Sequence, residues 1–228
     1  MVSTMTFAPP SLFYDDPPYR LSGVVYGPLL NQRCALERLG DAVDQPPYKG
    51  APKGPVLYMK PRNTLACDGQ RIAVPDGVQA MRVGATLGLV VGRTACRVSA
   101  ATALDHVAGL VLVADLTVPH DTFYRPSAPF VARDASCFIG PRIIPLAQVG
   151  DPNAVTLSVR VGETHATACL ADMVRPAARL LADVTEFMTL SVGDLLLLGT
   201  CADMPLLGRG QAFVIGAPGM DELHGGAQ

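Results

Sequence analysis

The 228-residue chain has no tryptophan, few charges and no long apolar run. Without Trp, and with aromatics at 6%, its core must rest on Val, Leu, Ile, Met and Phe. Charged residues make up 17% of the chain, the net charge is −2 and the pI is near 6.0. That balance provides no broad cationic surface to displace counterions from phosphates, which excludes a nucleic-acid partner. The longest apolar run, Leu195 to Leu198 with its flanks, falls far short of the ~20 residues a membrane-crossing helix needs. The N-terminus lacks a basic segment followed by an apolar one, so no membrane partner is expected and the chain reads as cytoplasmic. There is no C-x-x-C pair either. Cys34, Cys67, Cys96, Cys137, Cys169 and Cys201 are scattered without a neighbouring His, which excludes a common zinc pattern and reads as buried thiols in a reducing compartment.

What is present is apolar residue, 49% of the chain, enough for one large domain or for a subunit with an extensive buried interface. Residues 1–20 carry Pro9, Pro10, Pro17 and Pro18 and read as an irregular arm. A single domain is expected over 21–218, followed by a tail over 219–228. Short apolar runs cut by Gly and Pro predict strands at 21–26, 56–59, 87–91, 110–114, 156–161, 195–198 and 212–215. Helical spacing appears at 31–39, at 100–107 behind Ser99, and at 172–187 with Asp172 as cap and Pro176 in the first turn. The sum is a β-rich α+β domain without the βαβ alternation of a nucleotide-binding sheet.

Certain stretches resemble a known family when taken in order. They are Pro-Val-Leu-Tyr-Met-Lys-Pro-Arg-Asn-Thr-Leu (55–65), Gly-Ala-Thr-Leu-Gly-Leu-Val-Val-Gly-Arg (84–93), Ala114-Asp115, Phe-Tyr-Arg-Pro (123–126), Arg133-Asp134, Ile139-Gly140-Pro141, and Thr189 to Asp194 running on to Leu198-Gly199-Thr200. Together they resemble the fumarylacetoacetate hydrolase family across about residues 21–215. Within it, Lys-Pro-Arg-Asn-Thr-Leu, Phe-Tyr-Arg-Pro and Thr-Glu-Phe-Met-Thr-Leu (185–190) are most similar to the first half of the bifunctional isomerase/decarboxylase of 4-hydroxyphenylacetate degradation. The resemblance implies a fold of strongly bent mixed β-sheets, a β-sandwich roll with a few peripheral helices. It implies ketonisation or loss of CO₂ from unsaturated di- and tricarboxylates of aromatic catabolism, 2-hydroxyhepta-2,4-diene-1,7-dioate and 5-oxopent-3-ene-1,2,5-tricarboxylate.

The same resemblance marks what this chain has given up. Active relatives hold Mg²⁺ or Mn²⁺ with Glu-x-Glu on one strand and an Asp on another, because residues i and i+2 of a strand share a face and hard cations take oxygen ligands. Here Gly84 and Thr86 stand in place of that pair, and Asp115 is the one ligand retained, so no metal or other cofactor is expected in this chain. The His and Glu of the relatives' first helix become Ala35 and Arg38, and a lysine of theirs becomes Val131. The resemblance leaves Lys60, Arg62, Asn63, Tyr124, Arg125 and Thr200 as substrate-binding residues. Alternatively, Arg62 and Arg125 form internal ion pairs and Lys-Pro-Arg-Asn only turns the chain. His120 is the candidate catalytic group by virtue of its physiological pKa; the alternative is a surface loop histidine. The partner implied is a homologous subunit bearing the metal, or a second copy of this chain. The competing readings are a metal-free enol–keto isomerase and a non-catalytic structural half.

Overall fold

The computed structural model describes residues 24–120, 123, 127–201 and 203–228. The arm expected over 1–20 lies outside them, as do Tyr124 and Arg125. In chain order the strands are β1 (Val25–Leu29), β2 (Val56–Lys60), β3 (Leu65–Cys67), β4 (Arg71–Ile72), β5 (Ala80–Val91), β6 (Val107–Thr117) and β7 (Cys137–Ile139). They continue with β8 (Ile144–Pro145), β9 (Thr156–Val161), β10 (Thr164–Cys169), β11 (Leu195–Leu197), β12 (Leu206–Gly208), β13 (Ala212–Gly216) and β14 (Leu223–Ala227). Four short helices lie among them: α1 (Arg33–Glu37), α2 (Ala128–Val131), α3 (Leu146–Val149) and α4 (Ala177–Thr185).

Nine strands form one mixed sheet in the order β2-β1-β11-β5-β6-β7-β3, with β12 added to β5 and β8 to β6. The other five form a second sheet, β10-β9-β13-β14-β4. Alternation along β5 and β6 decides what each face does. Met81, Val83, Ala85, Leu87, Leu89 and Val91 of β5 join Leu110, Leu112, Ala114 and Leu116 of β6 in the core between the sheets. There Phe138 of the first sheet meets Phe213 of the second edge to face, their ring centres 5.0 Å apart. The intervening residues point the other way. Val90, Val111 and Val113 form a second, smaller core with Val25, Leu65, Leu195 and Leu197, inside the curl of the nine-stranded sheet. Arg82, Gly84, Thr86, Asp115 and Thr117 belong to that inner face by the same period of two.

Several expectations need correcting. The helix expected over 100–107 is only a 3-10 turn, Ala103–His106, after which β6 begins: Val107 and the residues beyond it pair with β5. The helix expected from Asp172 starts at Ala177, because the residue before a proline is disfavoured in the α conformation and Arg175 precedes Pro176. Its first free N–H, that of Ala177, is accepted by the distant Asn153 Oδ1 at 2.9 Å. The segment expected as a tail holds β14, which lies between β13 and β4. The six cysteines are not six buried thiols. Cys34 and Cys201 form a disulfide across 167 residues, with Cα atoms 6.0 Å apart, and Cys96 is exposed. Linear spacing holds no sign of this pairing, which exists because the fold sets α1 against the segment after β11.

Candidate functional site

The site begins with two neighbours on the edge strand β2. Tyr58 and Lys60 are two residues apart and so share a face. Three strands separate β2 from β6, yet the sheet curls far enough for both side chains to reach Asp115 on β6. Lys60 is fully buried and its Nζ lies 2.6 Å from Asp115 Oδ1. The ammonium also meets the Leu116 carbonyl at 2.9 Å, the Ser136 carbonyl at 3.2 Å and Ser136 Oγ at 3.0 Å. Oδ1 therefore shares the Lys60 ammonium with those three acceptors. Oδ2 accepts the Tyr58 phenol. Burial, and then the Asp115 charge, push the Tyr58 pKa well above its ordinary range, so Tyr58 is held as a proton donor to Asp115 and does not serve as a base. The room for its ring comes from Gly27, its partner across β1 and β2: a Cβ there would stand 2.1 Å from the ring.

Cys137 pairs with Asp115 across β6 and β7. Burial pushes its thiol up to about 12, Lys60 pulling it down and Asp115 pushing it up by less than burial does. It is a packing residue and no nucleophile.

Above this buried trio opens a narrow cleft. Tyr58, Arg82, Asp115, Thr117, His120 and Thr200 supply its polar lining, and Pro28, Leu29, Leu30 and Phe123 contribute apolar walls. Ala35 and Val131 also line it, so two of the positions that the family resemblance marks converge on the same space. Arg38, at a third such position, points away to an ion pair with Asp203. One wall is covalently fixed: Cys201 lines the cleft and is bonded to Cys34, the neighbour of Ala35.

His120 is the basic group of the cleft. Its Nδ1 lies 2.8 Å from the Val118 carbonyl. A carbonyl only accepts, so Nδ1 carries the proton in the neutral ring and Nε2 is the free acceptor. That Nε2 is buried and has no hydrogen-bond partner among the described residues. Phe130 stacks on the imidazole at 4.8 Å and Phe123 meets it edge-on at 5.3 Å, which fixes the plane of the ring.

Of the residues the sequence singled out, Asp115, His120 and Thr200 meet at this cleft. Lys60 lies beneath it, sealed from solvent. Arg62 and Asn63 are exposed on the turn after β2, where Asn63 donates to Asp134 Oδ1 at 2.6 Å. Tyr124 and Arg125 fall outside the described residues. Sequence reasoning missed Tyr58, Arg82 and Thr117. Each lies two residues along a strand from a residue already singled out, so the period of two was the signal that would have found them.

The donor set does not suit a divalent ion. Both Asp115 oxygens face a cation or a phenol, and among the described residues no group of three His, Cys, Asp or Glu could hold a metal. The position on β5 where the resemblance implies a glutamate is also physically filled. A Cβ on Gly84 would stand 2.6 Å from Thr200 Cγ2 and 2.9 Å from the Asp115 carbonyl. Thr86 is buried beside it, its hydroxyl donating at 3.3 Å to Leu87.

A curled mixed sheet with its cleft between the edge strand, the long central pair and a short helix defines the fumarylacetoacetate hydrolase class. The family model described as fumarylacetoacetate (FAA) hydrolase C-terminal matches residues 24–225, and the chain belongs to that family. It is 36% identical over 205 residues to the 4-hydroxyphenylacetate degradation bifunctional isomerase/decarboxylase of Salmonella dublin, covering 90% of this chain and 47% of that protein. The chain thus spans about half the length of that relative. It is 32% identical over 188 residues to the mitochondrial oxaloacetate tautomerase of Caenorhabditis elegans, covering 80% of this chain and 83% of that one. Among solved structures, the fumarylpyruvate hydrolase of Pseudomonas aeruginosa, in complex with Mn²⁺ and pyruvate, shares the fold with a TM-score of 0.78 at 21% identity, covering 97% and 98% of the two chains. Among the described residues no helix is long and apolar enough to cross a membrane.

Proposed function

We propose that this cleft performs a metal-free enol–keto isomerisation of an unsaturated 2-hydroxy dicarboxylate, with 2-hydroxyhepta-2,4-diene-1,7-dioate as substrate and His120 as the proton carrier. The observation that carries the reading is the state of His120. One ring nitrogen is committed to a backbone carbonyl, the other is buried at the cleft with nothing to bond among the described residues, and two phenyl rings hold the plane. Nε2 takes the proton of the substrate's 2-hydroxyl as the C2–O bond becomes a carbonyl, and the electrons shift along the diene. The imidazolium then delivers that proton to the far carbon, so proton and charge balance without a redox partner. Moving a proton along a dienol asks for a positioned base and a few donors, whereas breaking a C–C bond asks for a strong electron sink. Decarboxylation of 5-oxopent-3-ene-1,2,5-tricarboxylate is therefore assigned to a homologous, metal-bearing partner chain. The likeness to a tautomerase of similar length supports the isomerase reading, as does the likeness to an isomerase/decarboxylase.

The test follows the fall in dienol absorbance on adding substrate to purified chain in EDTA. Wild type should turn over, and His120→Gln should lower kcat by roughly 10²- to 10⁴-fold with the fold intact by circular dichroism. An undiminished His120→Gln, or activity that EDTA abolishes and Mn²⁺ restores, would overturn the reading.

A second reading is a structural half that packs against a metal-bearing homologous chain or a second copy. It is favoured by the exposed Val56 and Met59 on the edge strand β2, which are 40% and 60% accessible. No turnover by the chain alone, with stable co-elution with such a homologue, would select it.

A further inference from the structure

Residues 33–50 run from α1 out over the surface and back, and Ala35 is the one residue among them that is buried. The loop is pinched at its base by Arg175. The Arg175 N–H donates to Asn31 Oδ1 at 3.1 Å, its carbonyl accepts from Asn31 Nδ2 at 3.1 Å, and its guanidinium donates to the Pro52 carbonyl at 3.1 Å. Asn31 is tied again to the Leu198 carbonyl at 2.9 Å. With both ends fixed, whatever holds the middle decides whether the loop stays down. We propose that Cys34 and Cys201 are a thiol–disulfide exchange site, reduced by a dithiol, and that the state of their bond latches or releases the loop that walls the cleft; the latch stands apart from the isomerase reading.

The rest of the middle is weakly fastened. α1 has 5 residues, no side-chain cap and Ala35 as its buried residue, far short of a helix that holds itself. The 3-10 turn that follows, Gly40–Asp44, buries nothing. The ion pair Arg38–Asp203 joins the same two segments as the disulfide, yet both side chains are exposed and solvent screens them. The returning limb reaches the opposite wall through Tyr48, whose hydroxyl accepts the Phe123 N–H at 2.9 Å. Phe123 meets His120 edge-on, so the loop touches the cleft at Ala35 and Cys201 on one side and at Phe123 on the other. Cys34 and Cys201 are partly exposed, which lets an outside thiolate reach their bond. In the exchange, a thiolate of the dithiol attacks one sulfur and the S–S bond breaks to leave a mixed disulfide. The second thiol of the reductant then displaces the protein sulfur. Two electrons and two protons pass to Cys34 and Cys201, and the dithiol leaves as its own disulfide.

Amide deuterium exchange in short labelling pulses tests the latch without turnover. When dithiothreitol is added to chain oxidised with glutathione disulfide, the amides of residues 33–39 should exchange roughly tenfold faster, while residues 80–91 and 107–117 stay protected in both states. The double variant Cys34→Ser, Cys201→Ser should match the reduced chain with no reductant present. In that variant diethyl pyrocarbonate, which acylates an accessible imidazole nitrogen, should modify His120 roughly tenfold faster than in the oxidised wild type, with the exposed His165 and His224 as unchanged references. Equal exchange at 33–39 in the oxidised and reduced chains, or a rise of one size throughout the chain, would overturn the assignment. So would an unaltered rate at His120, or failure of the bond to form in glutathione disulfide. The wild-type comparison stands even if the double variant fails to fold.

Discussion

Lys60 and Asp115 form an ion pair of 2.6 Å in which neither side chain reaches solvent. Removing one partner strands the other's charge in a medium that cannot solvate it. Lys60→Met and Asp115→Leu should each lower unfolding free energy by about 3–5 kcal/mol in urea titrations, and the double variant should recover much of that loss. Additive losses would mean that the two do not act as a pair.

Gly27 and Tyr58 lead to a second expectation. A methyl group on Gly27 would overlap the phenol ring, which must then swing off Asp115. Gly27→Ala should cost about 1–3 kcal/mol through overpacking. Tyr58→Phe keeps the ring and deletes only the bond to a carboxylate, a loss of about 1.5–3 kcal/mol. In the Tyr58→Phe background, Gly27→Ala should cost less than it does alone.

Magnesium or manganese at millimolar concentration should leave the melting temperature unmoved and give no stoichiometric calorimetric binding. Gly84→Glu should destabilise the fold by about 1–3 kcal/mol, since Thr200 occupies the path of the new side chain. Combining it with Thr200→Gly should recover only part, because the Asp115 carbonyl also stands in the way. A tight single site for either ion in the wild type would contradict the donor argument.

Alkali should weaken the fold through Cys137. Its thiol ordinarily titrates at 9.0 and is pushed up to about 12 by burial. Below pH 9 folded and unfolded chains both keep the proton, and stability is whole. Between 9 and 12 the unfolded chain releases it and the folded chain does not, so stability falls by about 1.4 kcal/mol per pH unit from this group. Tyr58, raised in the same direction, adds to the loss above pH 10. Cys137→Ala should show a shallower decline from pH 9 to 11 in urea titrations; an identical slope would remove Cys137 from the account.

The disulfide should be visible as a Cys34–Cys201 peptide in a non-reducing digest. Dithiothreitol or Cys34→Ser should lower stability by about 2–5 kcal/mol, the range for closing a long loop. Equal melting temperatures with and without reductant would argue against a bond in the isolated protein.

The sequence made β2, β9 and β13 legible to within a residue or so, because alternating apolar runs ended at clear breakers. It could not show that β5 runs back to Ala80. Arg82, Gly84 and Thr86 break the apolar pattern because they face the cleft, so the residues most involved in function were those that spoiled the strand signal. The helix over 172–187 was overextended because 3.6-residue spacing says nothing of Pro176's effect on its neighbour or of a cap supplied by Asn153. At the site, family likeness indicated Asp115 and Thr200, and residue type alone indicated His120, while Tyr58 and Arg82 required knowing which face of a strand points inward. Lys60 was legible as important and not as buried, since charge type says nothing of depth.

The curl that carries Tyr58 and Lys60 across to Asp115 works as a cuff fastened from within. In a sheet only partly wrapped, the outermost strand stands away from the central pair and there is no cleft to fill. A molecule lodged there therefore clasps the cuff shut. It should slow the exchange of backbone amide hydrogens along residues 56–60 and 113–117 together, including those whose own atoms it never meets.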